Sequence, residues 1–168
     1  MDRITEITIC HEWGHALMAF AIMGGDIVDT IEIEDSFYRV NGHTALDYIK
    51  RMELTNEQNL LILYGGITAE KICEYTKSSY HRGTDWNKIR VLLPNRQDRL
   101  LYAEKALKIL LPYKEALEKL TKDTIQLYPT ERDNNDSIYF RLFRDEIKTM
   151  ISKYPTPEKA VSAPYAGL

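Results

Sequence analysis

The chain has 168 residues, 44% of them hydrophobic, and its 22 Lys and Arg against 25 Asp and Glu give a formal charge of −3. That length suits one domain able to close a core without disulfides, and the slightly acidic balance argues against a general nucleic-acid binder, which would carry a basic face. Gly and Pro are scarce while eleven Tyr, four Phe and two Trp supply core-forming rings, which excludes collagen-like, coiled-coil and disordered chains.

Residues Ile4 to Met23 carry apolar groups at Ile4, Ile7, Trp13, Leu17, Phe20 and Ala21, the spacing of an amphipathic helix, and Gly24-Gly25 stops it. No basic segment followed by an apolar run opens the chain, so no signal peptide is read. The uncharged stretch from Trp13 to Gly25 is shorter than the roughly 20 residues a membrane span takes. Two cysteines, Cys10 and Cys73, are too few for a disulfide scaffold and fit a reducing compartment. A soluble, cytoplasmic protein without a membrane span is therefore expected. From Ile27 to Leu46, Ile31 and Ile33 alternate with Glu32 and Glu34, Phe37 to Val40 forms a second β-like run, and Asn41-Gly42 reads as a turn, which together predict a small antiparallel sheet. Thr55 with Gln58 is a capping box opening a helix to about Lys77. Ser78 to Gly83 reads as a loop, and Thr84 as the cap of a helix from Asp85 to about Leu93. After Pro94-Asn95 the run from Gln97 to Leu127 is strongly helical, with Pro112 kinking or splitting it. Asn134 to Asp136 reads as a loop or cap, Ser137 to Lys153 as a last helix, and the stretch from Pro155 as a flexible tail. The order predicts an α+β domain, predominantly α-helical with a small antiparallel sheet, over residues 1–153, and a flexible C-terminal tail over 154–168.

His11-Glu12-Trp13-Gly14-His15 is an H-E-x-x-H sequence within the first helix. Residues four apart share a helix face, so both imidazoles can reach one ion, and neutral imidazole nitrogens suit zinc (Zn2+). Glu12 sits beside the first ligand, turned aside, where a carboxylate can act as general base on water. A shuffled chain with 4 His and 14 Glu in 168 residues contains the motif in roughly 0.8% of cases, so chance is a poor account of it. Two histidines leave a catalytic zinc one protein ligand short. His43, Glu70, Glu74, His81 and Asp85 are candidates for that place, with Cys10 and Cys73 behind them. Glu70 also qualifies as the acceptor for the far nitrogen of a ligating histidine. Gly65 and Gly66, mid-helix where each costs roughly 1 kcal/mol against Ala, suggest a close helix crossing.

The motif, followed by Leu63-Tyr64-Gly65-Gly66-Ile67-Thr68-Ala69-Glu70-Lys71-Ile72 and then Gly83-Thr84-Asp85-Trp86-Asn87-Lys88-Ile89, resembles the peptidase domain of FtsH-type zinc metalloproteases. The resemblance covers about Ile4 to Leu93, and from Gln97 to about Met150 it is a loose match of helical pattern. It implies a zincin-like metallopeptidase domain with His11, His15 and Asp85 as metal ligands and Glu12 as the catalytic base. It also implies that Thr30 to Glu34 is an edge strand that pairs with extended peptide. Asp85 at a helix start suits a cation-binding role, since the positive end of the dipole keeps it ionised.

FtsH-type proteases carry an ATPase module, but no G-x-x-x-x-G-K-[ST] sequence occurs in this chain. The expectation is a stand-alone peptidase domain, acting by itself or with a separate ATPase or adaptor that delivers substrate. The expected activity is a zinc metalloendopeptidase hydrolysing peptide bonds in flexible or unfolded polypeptides. The competing expectations are a non-catalytic zinc-binding or regulatory module of the same fold, and a metal-dependent hydrolase of another substrate.

Overall fold

Helix α1 (Arg3–Met23) is enclosed by the rest of the molecule. Ile7, Ile9, Cys10, Trp13, Leu17 and Met18 cover one half of it, Thr5, Thr8, Glu12, His15 and Ala19 the other, and all are buried. The expected amphipathic helix with a solvent face is thus corrected to one buried on every side, its polar half turned into the protein. Its polar groups survive burial by bonding: Thr8 Oγ1 donates to Ile4 O at 2.9 Å and Trp13 Nε1 to Thr124 Oγ1 at 2.8 Å.

The computed structural model describes residues 3–24, 26–36, 39–75, 84–129, 131, 133 and 136–157. After α1 come β1 (Val28–Ser36), β2 (Arg39–Leu46), the short α2 (Tyr48–Met52), α3 (Asn56–Ile72), α4 (Thr84–Leu92), α5 (Arg96–Leu110), a 3-10 turn (Leu111–Tyr113), α6 (Lys114–Leu127), β3 (Ser137–Phe143) and α7 (Arg144–Ser152). The architecture is α+β and mostly helical, with one three-stranded antiparallel sheet in the order β2-β1-β3. Ile31 and Ile33 of β1, with Phe140 and Leu142 of β3, bury the inner face of the sheet, and α1 packs against that sheet on one side and α3, α5 and α6 on others. No helix among the described residues is long and apolar enough to cross a membrane.

Four expectations are corrected. Asn41-Gly42 is not the turn: Asn41 pairs with Glu34 and Gly42 with Ile33 inside β2, and the chain reverses between Ser36 and Arg39. Thr30 to Glu34 is not an edge strand, because β1 pairs with β2 on one side and β3 on the other, and among the described residues the outer strands are β2 and β3. Ser137 to Phe143 is a strand rather than the start of the last helix: buried Ile138, Phe140 and Leu142 alternate with exposed Tyr139 and Phe143, a period of two, and the helix begins at Arg144. The Glu146 carboxylate accepts the Phe143 N–H at 2.8 Å and fixes that start. Finally, α3 ends at Ile72, short of Lys77. Glu74 takes the left-handed conformation at φ 60°, Tyr75 N–H reaches Glu70 O at 2.8 Å and Glu74 N–H reaches Lys71 O at 3.3 Å. This is a Schellman closure with Glu where Gly is usual.

Other expectations match the structure. Thr55 and Gln58 form the capping box, with Thr55 N–H donating to Gln58 Oε1 at 2.8 Å and Gln58 N–H to Thr55 Oγ1 at 3.2 Å. Pro112 splits the long helical run, the 3-10 turn separating α5 from α6. One further expectation is corrected: Tyr154, expected to open the flexible tail, packs on the core, its hydroxyl donating to Asp123 and its ring lying under Lys119. The expected loop at 78–83 with His81, the Asn134 position, and residues 158–168 of the tail lie outside the described residues.

Candidate metal centre

The site is assembled where α1 crosses α3. Glycines let the two backbones touch: a Cβ on Gly65 would stand 2.5 Å from Gly14 O, and one on Gly14 would stand 2.5 Å from Ala69 Cβ. The mid-helix glycine cost is therefore offset by a close crossing. Along it, residues one turn apart on α3 meet the motif in reverse order. Ile62 meets His15, Gly66 meets His11, and Glu70 meets the far side of His11.

These contacts fix both rings. His15 Nδ1 donates to Ile62 O at 2.7 Å, and His11 Nδ1 donates to Glu70 Oε1 at 2.6 Å. With each Nδ1–H committed, each Nε2 presents a lone pair in the neutral ring and is the place where a further proton or a metal ion binds. The two Nε2 atoms lie 3.0 Å apart, and Asp85 Oδ2, from the first turn of α4, lies 3.1 Å from His11 Nε2 and 2.9 Å from His15 Nε2. Three acceptors at these separations repel one another unless a cation, either a proton or a metal ion, sits among them.

The titration behaviour of the metal-free protein says the same. Burial disfavours a charged His11, but the Asp85 and Glu70 carboxylates that bond to it, and the nearby charge of Glu12, prevail and push its pKa up to about 10. Burial likewise opposes an ionised Asp85, but hydrogen bonds from His11 and His15 hold its carboxyl far below the usual carboxylate range.

His11, Glu12 and His15 form a group able to hold a metal ion. Asp85 is the better third donor, because its oxygen already stands against both Nε2 atoms whereas the Glu12 carboxylate is engaged elsewhere. A tetrahedral zinc with donors at about 2.0–2.1 Å separates them by roughly 3.3–3.4 Å. The triangle with sides of 2.9, 3.0 and 3.1 Å reaches that by relaxing a few tenths of an ångström. Space beside the ring is kept by Gly66, where a Cβ would press on His11 at 2.5 Å from Cε1 and 2.6 Å from Cδ2.

Glu12, buried, turns from the triangle toward β2. Its Oε2 accepts from Thr44 Oγ1 at 2.7 Å, and a Cβ on Gly42 would stand 2.7 Å from its Cδ. Glu12, His11, His15 and Asp85 open into a cleft of about 1350 Å³ between α1, β2, α2 and the start of α3. Apolar Leu46, Met52, Leu54 and Leu63 and basic Arg39 and Lys88 also face it. Lys88 Nζ lies 3.8 Å from the other Asp85 oxygen.

The sequence candidates thus divide. His11, Glu12, His15, Glu70 and Asp85 come together. His43 lines the cleft from β2, exposed, with Glu32 as its strand partner, while Cys10 is a buried thiol. Glu74 closes α3. His81 lies outside the described residues. Sequence reasoning missed Thr44 and the Ile62 carbonyl, which no local pattern marks. It misread Gly42, whose glycine was legible but whose cause, the Glu12 side chain, was not. No protein-family model matches the chain, and no curated protein matches it either.

Proposed function

We propose that the chain is a zinc-dependent metallopeptidase that hydrolyses peptide bonds in flexible or unfolded polypeptides. The observation that carries this reading is the convergence of three acceptor atoms, His11 Nε2, His15 Nε2 and Asp85 Oδ2, on one point at the floor of an open cleft with a buried carboxylate, Glu12, beside it. A resident zinc would be held by these three side chains. When bound, zinc supplies Lewis acidity that polarises a carbonyl and acidifies water.

The protein's own groups do the rest. Glu12 takes a proton from the attacking water and delivers it to the departing amine, the two halves of general acid–base catalysis. Glu70 and the Ile62 carbonyl hold the imidazoles in the tautomer whose Nε2 is free to bind. The outer edge of β2, unpaired among the described residues and along the cleft, offers backbone groups to an extended chain, so substrate enters as an added strand there rather than at β1. A zincin-like fold and a cytoplasmic location belong to the same reading, with the chain acting alone or with a separate ATPase or adaptor that delivers substrate. A purely structural zinc site would not need a buried carboxylate held beside the ligands.

The test is metal content by mass spectrometry with cleavage of a peptide library, wild type against Glu12→Gln. One zinc per chain in both, with cleavage by the wild type alone, is the expected result. Equal cleavage by Glu12→Gln, or no retained metal, overturns the proposal.

A further inference from the structure

We infer that β2 is a clamp for the base: Thr44 and Gly42 together are positioning residues that set the orientation of the Glu12 carboxylate. This rests on the hydrolytic reading above. Among the described residues, the Thr44 hydroxyl is the only hydrogen-bond donor to that carboxylate, at 2.7 Å from Oε2, and the same hydroxyl lies 3.1 Å from the carbonyl oxygen of Glu12. The one hydroxyl proton goes to the nearer carboxylate oxygen, with the carbonyl oxygen as a second, longer acceptor on the same side. Gly42, two residues earlier, faces the same side of β2, and the carboxylate lies over it: a Cβ there would stand 2.6 Å from Glu12 Cγ and 2.7 Å from Cδ. The strand thus pulls at Thr44 and leaves a groove at Gly42. Alternation makes the pair possible, because residues two apart on a strand share a face.

The clamp selects one direction for a side chain that would otherwise choose among several rotamers. It holds both oxygens against β2, Oε2 at the Thr44 hydroxyl and Oε1 over Gly42. The strand that offers its outer edge to an extended chain is also the strand that orients the base, so the peptide and the base share one rigid reference.

The test compares Thr44→Val, which keeps the shape and removes the donor, Thr44→Ser, which keeps the donor, and Gly42→Ala. Zinc affinity by chelator competition, the thermal midpoint and crystal structures accompany the kinetics. Thr44→Val should lower kcat by about 10- to 100-fold, the scale of a misplaced catalytic group, with KM, zinc affinity and thermal midpoint nearly unchanged. Its crystal structure should show the Glu12 carboxylate turned from β2, and Thr44→Ser should restore most of the lost kcat. Gly42→Ala should displace Glu12 by direct contact and lower kcat as well. If the wild type cleaves peptides and Thr44→Val cleaves them equally fast, or its loss tracks a loss of zinc or of folding, the clamp is refuted and the hydrolytic reading stands. If the wild type cleaves nothing but Thr44→Val releases Glu12 in the crystal, hydrolysis fails and the clamp stands. An unmoved Glu12 in Thr44→Val refutes the clamp whatever the activity.

Discussion

Glu70 Oε1 stands 2.6 Å from His11 Nδ1, although the two residues lie 59 positions apart in the chain. The contact bonds the far nitrogen of a motif histidine and leaves its near nitrogen facing Asp85 and His15. Removing that acceptor frees the ring to rotate or change tautomer. Glu70→Ala should lower zinc affinity by about 10- to 100-fold, the usual effect of losing the partner behind a ligating histidine. Glu70→Gln, which keeps an acceptor oxygen, should lose less. Competition with a fluorescent chelator measures both, and unchanged affinity in Glu70→Ala would contradict this role.

Asp85→Ala should do more harm than Glu70→Ala, because it removes a donor atom from the triangle itself. Zinc affinity should fall well beyond the roughly 100-fold upper range for an outer partner, and peptide cleavage should vanish. Asp85→Glu should keep metal with altered geometry. Normal zinc binding by Asp85→Ala would show that the third donor comes from elsewhere.

Adjacent glycines should respond oppositely. In Gly66→Ala the new Cβ meets the His11 ring, so zinc affinity should drop more than tenfold while the fold, helped by the roughly 1 kcal/mol better helix propensity of Ala, survives. In Gly65→Ala the Cβ meets backbone, Gly14 O at 2.5 Å, which cannot move without parting α1 from α3. That variant should lose about 2 kcal/mol or more of stability, within the range of overpacked cores. Thermal melts and chelator competition on both variants separate the two outcomes.

Stripping the metal should expose a pH window. In the metal-free protein the pKa of His11 is raised from 6.5 to about 10, so its charge stabilises the fold fully below 6.5, and that contribution is lost as pH rises through about 10. Asp85 is depressed, so its contribution is present at neutral pH and lost only in strong acid. Chelated protein should therefore melt at falling temperature between about pH 7 and pH 10. Zinc and the proton compete for the same nitrogen, so zinc affinity should rise over the same interval. A melting temperature flat across it would contradict the His11 assignment.

At neutral pH, chelation should also lower the melting temperature. Zinc at about 100 times its dissociation constant contributes about 2.7 kcal/mol, and for a chain of this size that is roughly 5–10 °C. Differential scanning calorimetry with and without chelator reads the shift, and its absence would mean that the folded protein binds no metal.

What the sequence determined alone is what backbone geometry decides locally. Two histidines four apart on a helix share a face in any tertiary setting, and Thr55 and Gln58 cap a helix through atoms three residues apart, so both were legible. Pro112 carries no N–H, so the break there was legible as well. The fold class followed from counting such elements. Tertiary structure decided the pairings. Ile138, Phe140 and Leu142 are apolar in strand or helix, and only the free place beside β1 made them a strand. The same pairing moved Thr30 to Glu34 from the edge to the centre of the sheet. Glu70, Thr44 and Gly42 acquired their meaning from His11 and Glu12 of α1, which lie 30 or more residues earlier in the chain and come into contact with them through packing of a core that no local pattern specifies. Asp85 stood between the two cases. Its helix start was readable from the sequence, but its place against His11 and His15 depends on how α4 docks, a matter of side-chain burial over the whole domain rather than of the residues around it.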